Sequence, residues 1–307
     1  MGMGCLKAIL AVMFIAGLST NPAAQQTPVP AASRPAESSA ATALPSASDA
    51  QEIVRRSVEI DHHNFERARN YTARQREVEK RLDKHGQVKS TDIKTYDITF
   101  LSGELYSRLI EKDDRPLEAK EQRKEEEKIE KFIAKHRDEG PQEREKRLAK
   151  QEKERQERRL FLRDVVNAFD FRLAGEEQIE GRSVYVIDAM PRQDFHPTQP
   201  HADLLSKVRG RLWIEKEDYN WVKAEVETIG TISFGLFLAR IHQGSRLVFE
   251  QTRVNGEVWL VRRFALNASA RLALVKNESI EQEDIFSNYR KFSAGTRILG
   301  IQELESH

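Results

Sequence analysis

The hydrophobic pattern of this chain changes its period three times. In SDAQEIVRRSVEIDHHNFERARNY, the residues Ile53, Val54, Val58 and Ile60 or Phe65 recur at near-helical spacing behind a Ser/Asp cap, which predicts an amphipathic helix packed on another layer. From YTARQREVEKRLD to ELYSRLIEKDDRPL the period falls to two, imperfectly kept, at Val88, Ile93, Tyr96, Ile98 and Phe100. Gly86 and Gly103 stand where turns are needed, so a three-strand meander is expected.

Residues 116–166 return to a helical pattern. EAKEQRKEEEKIEKFIAKHRDE is helix-favouring throughout, Gly140-Pro141 breaks it, and QEREKRLAKQEKERQERRLFLRDVVNAF resumes it. This predicts a helical hairpin. Its apolar residues are sparse at Ile129, Phe132, Ile133 and Leu148 and dense at Leu160, Leu162, Val165 and Val166, so the base is expected to pack and the tip to be solvated. The charges alternate in sign along both arms, as on a surface helix pair laced by weak i,i+4 ion pairs. Without a sustained apolar heptad, a coiled-coil docking arm is the less favoured reading.

After Phe169 strands come in a dense series. Tight reversals are expected at Glu180-Gly181, at about residues 216–220, and at Asn255-Gly256, the last a strong hairpin signal. About seven strands follow the helices and about ten occur in all, which predicts an α+β fold with one large antiparallel sheet or open barrel covered on one face by helices. Within the series, TISFGLFLARI is apolar at both odd and even positions. Read as one strand, it puts Ile232, Phe234, Leu236 and Leu238 on one face and Phe237, Ala239 and Ile241 on the other, as for a strand buried on both sides.

Composition changes the picture at the ends of the chain. Of 307 residues, 32% are charged and 39% hydrophobic, a balance for a compact region plus solvated stretches. Lys+Arg 50 against Asp+Glu 49 leaves a net charge of +1, which gives no pull toward nucleic acid. The N-terminal MGMGCLKAILAVMFIAGLSTNPAAQQ has one Lys and an apolar core from Ala8 to Leu18, shorter than a membrane span and suited to an export signal. Cleavage is expected after Ala24 or just after Ser19, and the rival is an uncleaved anchor with the same topology. Residues 25–50 read as a disordered Ala/Pro/Ser linker, 51–292 as the folded domain with the hairpin inserted at 116–166, and 293–307 as a tail. Cys5 precedes the apolar core, so a mature chain would hold no thiol and no disulfide.

Chemistry is sparse. The sequence holds no glycine-rich phosphate loop, nucleophile elbow, HExxH or paired catalytic carboxylate motif. Asp61-His62-His63 and the group Asp194, His196, His201 and Asp203 in DFHPTQPHAD contain ligand types for a divalent metal, but read better as polar surface and a mobile loop. Trp213, Trp221 and Trp259 fall in expected strands and fit a core or a ligand cavity.

The segment IEGRSVYVIDAMPR followed by KVRGRLWIEKEDYNWVKAEVE resembles the bacterial outer-membrane lipoprotein-sorting family, the LolA-like fold. Gly181, Val184 and Tyr185 match its first strand, Leu212, Trp213, Ile214 and Glu215 the next, and Val222, Lys223 and Glu225 the third. The match is close over 170 to 230 and loose over 50 to 290. It implies an incomplete, strongly curved antiparallel barrel closed by helices, with an apolar concavity that shields acyl chains, in the periplasm or cell envelope of a bacterium. The charged hairpin at 116–166 departs from the family pattern. The function expected is a non-enzymatic envelope protein binding a lipid or lipoprotein acyl chain, with no cofactor and no metal. Trp213, Phe234, Leu236, Leu238, Phe249 and Trp259 are the lining candidates. The alternative is an envelope protein-interaction or sensor module that docks a partner through residues 116–166.

Overall fold

The computed structural model describes residues 47–101, 104–199, 201–234, 239–272 and 276–291. The expected export signal, most of the linker and the tail at 293–307 lie outside them. Helix α1 (Ala47–Ala68) leads into strands β1 (Tyr71–Leu82), β2 (Val88–Leu101), β3 (Glu104–Lys112) and the short β4 (Arg115–Pro116). The hairpin follows as α2 (Ala119–Arg137) and α3 (Pro141–Ala168). Then come β5 (Phe169–Ile179), β6 (Arg182–Pro191), a 3-10 helix over Ala202–Lys207, β7 (Val208–Glu215), β8 (Trp221–Thr228), β9 (Ile232–Phe234), β10 (Ala239–Ile241), β11 (Arg246–Val254), β12 (Val258–Leu272) and β13 (Lys276–Lys291).

These form one 13-stranded antiparallel sheet in the order β4-β3-β2-β1-β13-β12-β11-β8-β7-β6-β5, with β9 and β10 joined to the end of β12. Among the described residues β4 and β5 do not pair, so the sheet is open. The last strand lies at its centre: β13 pairs with β1 from Tyr71↔Lys291 to Leu82↔Ser279 and with β12 from Arg263↔Ile285 to Leu272↔Lys276. The expected meander is β1 to β3, and the expected turns carry positive φ where they need it, at Glu180 and Gly181 and at Asn255 and Gly256.

Bulges curl the sheet. Register shifts fall between Leu173 and Gly175, Trp213 and Ile214, and Glu250 and Gln251, and each extra residue bends its strand and adds twist. In consequence Glu180, at the tip of the β5–β6 hairpin, pairs with Arg262 of β12 and accepts a hydrogen bond from Thr252 of β11 at 3.3 Å, although β7 and β8 separate these strands in the order.

Helices lie on one face. Ile53 and Val54 of α1, as their spacing predicts, share a core with Phe161, Val165 and Val166 of α3 and with Leu204 and Leu205 of the 3-10 helix. Leu160, expected inside, is exposed, and Phe161 points inward in its place.

Two expectations change. TISFGLFLARI is two strands: Ile232 of β9 is paired with Ile241 of β10, and Phe234 with Ala239. Both isoleucines are buried in the main core. The apolar run lacks an Asn-Gly signal, so the reversal was invisible to a pattern rule that looks for polar punctuation. With the two-residue β4, this hairpin accounts for the strands beyond the expected ten. The arms of the helical hairpin also dock further out than expected, while residues 141–146 at the tip are exposed as expected. Phe132 stacks on Tyr106 of β3 with ring centroids 5.0 Å apart, and Gln151 donates to Glu104 at 3.3 Å. The buried His136 ring lies 3.7 Å from the same Glu104 carboxylate. Few aliphatic residues mark this part of the arms, and aromatic and hydrogen-bonding contacts hold it.

Candidate functional site

Directly opposed residues of paired strands project to the same face, so pairing arranges side chains in rows across the sheet. On the helix-covered face one row runs Leu212, Ala224, Phe249, Phe264 across β7, β8, β11 and β12. A second runs Val226, Leu247, Leu266, and a third holds Ala268 against Ile280. Apart from the half-buried Val226, all of these are buried beneath the helices.

The rows continue past β12 and change character within one strand spacing of about 4.8 Å. Phe264 is opposed by Asp284 of β13, and Asp284 by Glu77 of β1; Leu266 is opposed by Gln282, and Gln282 by Glu79. Asp284 accepts hydrogen bonds from Gln75 at 3.1 Å and from Gln282 at 3.0 Å. Tyr96 of β2 stands opposite Gln75. Its hydroxyl is pushed up from its ordinary acidity first by burial and then by the carboxylates of Glu77, Asp92, Asp284 and Glu125, the last from α2.

Helix α1 is tied over the apolar rows at discrete points. The Trp221 indole N–H donates to Ser57 Oγ at 2.7 Å, and Ser57 donates to Val54 O at 2.7 Å. Asn64 Nδ2 donates to Trp259 O, and Trp259 N donates to Asn64 Oδ1, both at 2.7 Å. Trp259 lies in the part of β12 beyond the β13 pairing, which starts at Arg263. The Asn64 carboxamide therefore serves that free edge as a neighbouring strand would. The Arg56 guanidinium stacks 3.9 Å over the Tyr219 ring, Arg158 pairs with Asp61 at 2.7 Å, and Gln51 donates to Val166 O at 2.7 Å. The last two join α1 to α3.

The lining candidates divide between faces. Phe249 is central to the helix-covered rows. Trp213 and Trp259 belong to a small separate core with Val184, Val186 and Val222, and Trp213, next to Leu212 in β7, projects from the face opposite the helix-covered rows. Their indole N–H groups donate to Glu177 at 2.9 Å and Asp218 at 2.8 Å, and Lys223 sits 4.4 Å over the Trp213 ring. The side chain of Phe234, and Leu236 and Leu238 altogether, lie outside the described residues. Beside Trp259, the buried Glu215 carboxyl accepts the backbone N–H groups of Glu217 at 2.8 Å and Asp218 at 2.7 Å. Burial raises it above the ordinary 4.5. Asp218 is half-buried, and although that burial opposes ionisation, bonds from Trp259 and Asn220 hold it below its ordinary value.

The residues singled out for metal do not converge. Asp61 pairs with Arg158 and Asp194 with Arg192 at 2.9 Å, and among the described residues no group of three or more His, Cys, Asp and Glu is placed to share an ion. The DFHPTQPHAD loop is fixed by Asp164 of α3, which accepts from Thr198 N at 2.8 Å, Thr198 Oγ1 at 2.7 Å and Gln199 N at 3.0 Å. Sequence reasoning missed Asp164, Ser57 and Asn64, whose partners lie 34 residues or more away along the chain.

The fold and site define a class: an open antiparallel sheet whose apolar face carries a tied helical cover. Among solved structures the chain is similar to a putative outer membrane lipoprotein-sorting protein domain from Vibrio parahaemolyticus, at 12% identity over 81% of this chain and 98% of that one, with a TM-score of 0.32. It is similar also to a LolA superfamily protein from Nitrosomonas europaea, at 13% identity over 81% and 96%, TM-score 0.30. A third is the Pseudomonas aeruginosa MucA/MucB complex, at 11% identity over 80% and 100%, TM-score 0.24. No family model and no curated protein matches the chain. The functional reading therefore rests on the chain's own geometry.

Proposed function

We propose that this is a non-enzymatic, exported cell-envelope protein that binds a hydrophobic ligand, a lipid or lipoprotein acyl chain, between the apolar rows of the sheet and the helical cover. The observation that carries the reading is the form of the cover. Helix α1 meets the sheet through the packing of Ile53 and Val54 and through a few hydrogen bonds, accepted by Ser57 from Trp221 and exchanged by Asn64 with Trp259, none of which is a strand-pairing bond. Displacing it opens apolar surface across β7, β8, β11 and β12, where burial of hydrocarbon yields about 25 cal/mol per Å². Phe249 is the lining residue of this reading, and Leu236 and Leu238, outside the described residues, stay lining candidates by their sequence alone. Export follows from the N-terminal leader pattern, and no helix among the described residues is long and apolar enough to cross a membrane.

Mass spectrometry of material extracted from the natively purified protein tests the reading. Recovery of one hydrophobic species in near-stoichiometric amount supports it, and background lipid alone counts against it.

The second reading, an envelope partner docked on residues 116–166, draws on the outer faces of α2 and α3, which carry exposed Lys, Arg and Glu and the exposed Leu148 and Leu160. Charge-reversed substitutions on those faces separate the two readings, since they abolish partner capture and leave ligand recovery intact if both roles are present.

A further inference from the structure

On the helix-covered face, the rows that are apolar from β7 to β12 end in acceptors on β13 and β1: Phe264 meets Asp284 and then Glu77, and Leu266 meets Gln282 and then Glu79. Carboxylates are seldom taken out of water without compensation. Here Asp284 and Glu79 are each 5% exposed and Gln282 is 6% exposed. Gln282 donates through Nε2 to the Asp284 carboxylate, at 3.0 Å to each oxygen. Its Oε1 is buried without a hydrogen-bond partner. An orphaned acceptor in such a place loses about 1–3 kcal/mol of solvation and calls for a donor. The neighbouring bases are engaged locally, Arg81 with Glu79 at 3.3 Å and Lys94 with Asp92. Glu125 brings a further carboxylate from α2, on the helical side of the same space. The unmet chemistry is an N–H donor for Gln282 Oε1, in a strip of carboxylates that adjoins hydrocarbon.

We propose that this acidic strip receives the primary ammonium head of an amphiphile whose hydrocarbon part lies along Phe264, Leu266 and Phe249. An ammonium offers three donors, enough for Gln282 Oε1 and two carboxylate oxygens. An anionic head at the same position is repelled by Asp284, Glu77 and Glu79. The inference rests on the hydrophobic-ligand reading and adds the class of ligand.

The test compares decylamine, decanol and decanoate binding to the full chain by calorimetry at neutral pH and low salt. One charge-assisted contact beyond the shared hydrocarbon corresponds to a preference of about tenfold or more for decylamine over decanol. Decanoate is expected to bind more weakly than either. If decanol binds and decylamine binds no better, the headgroup inference is overturned while the hydrophobic-ligand reading stands; if none of the three binds, both fall. In Asp284→Asn and Glu77→Gln, the ratio of decylamine to decanol affinity is expected to drop toward one, and an unchanged ratio overturns the inference. The comparison of heads on the unmodified chain needs no variant, so a variant that fails to fold leaves the test decisive.

Discussion

Removing the Asn64 carboxamide tests the tied-helix account most specifically. Asn64 makes two hydrogen bonds of 2.7 Å to one backbone unit, Trp259, and both partners are buried. Asn64→Ala leaves the Trp259 N–H and C=O without a partner at the free edge of β12. Each orphaned buried group costs about 1–3 kcal/mol, and water entering the truncated site recovers part of that, so the expected loss is about 2–4 kcal/mol. Asn64→Asp keeps the acceptor for Trp259 N–H but places a carboxylate oxygen against Trp259 O, so it should also destabilise at neutral pH and recover in acid, when the carboxyl regains a donor. Urea unfolding followed by tryptophan fluorescence gives the free energies, and amide hydrogen exchange reads Trp259 directly. A loss in Asn64→Ala below about 0.5 kcal/mol, the range of an ordinary surface change, with Trp259 exchange unaltered, would refute the reasoning.

Other outcomes follow from the same geometry. Phe249→Ala should cost about 3–5 kcal/mol in urea unfolding, because its ring is buried against Phe264 and Ala224 with no exposed surface to collapse into. Asp164→Ala should free the loop around Thr198, read as faster proteolytic cleavage between residues 192 and 201, with a loss of about 1–3 kcal/mol if the orphaned backbone groups stay dry. Glu215→Gln bears on pH. A carboxyl raised above its ordinary 4.5 by folding weakens the fold progressively as pH climbs through that value. Gln keeps the acceptor for Glu217 and Asp218 N–H and cannot ionise, so the variant should exceed the parent in stability at pH 7 and match it in acid below about pH 4. Greater stability of the parent at pH 7 would contradict this.

Much of the sheet was legible in the sequence because its strands are punctuated by polar turns with the residues that positive φ requires, as at Asn255 and Gly256. Where punctuation failed, so did the reading: the Ile232–Ile241 reversal is written in apolar residues on both sides, and alternation cannot distinguish one doubly buried strand from two paired ones. The strand order was hidden for another reason. That β13 sits between β1 and β12 depends on pairings that span most of the chain, and no local pattern encodes them. The site was legible only by residue type. Phe249 lies where an apolar lining residue should, but Trp213 faces the other way by plain alternation, since its neighbour Leu212 takes the helix-covered row. The ties of α1 through Ser57 and Asn64 look in sequence like ordinary polar positions of a surface helix, and only their distant partners give them a role.

The central claim, that hydrocarbon enters between α1 and the apolar rows, is tested most directly by photo-crosslinking the purified chain with a diazirine-bearing fatty alcohol and mapping the adducts by peptide mass spectrometry. The account predicts adducts on Phe249, Phe264, Leu266 and the inner side of α1, suppressed by excess unlabelled alcohol. Adducts confined to the separate core around Trp213 and Trp259, or none that the unlabelled alcohol suppresses, would contradict it.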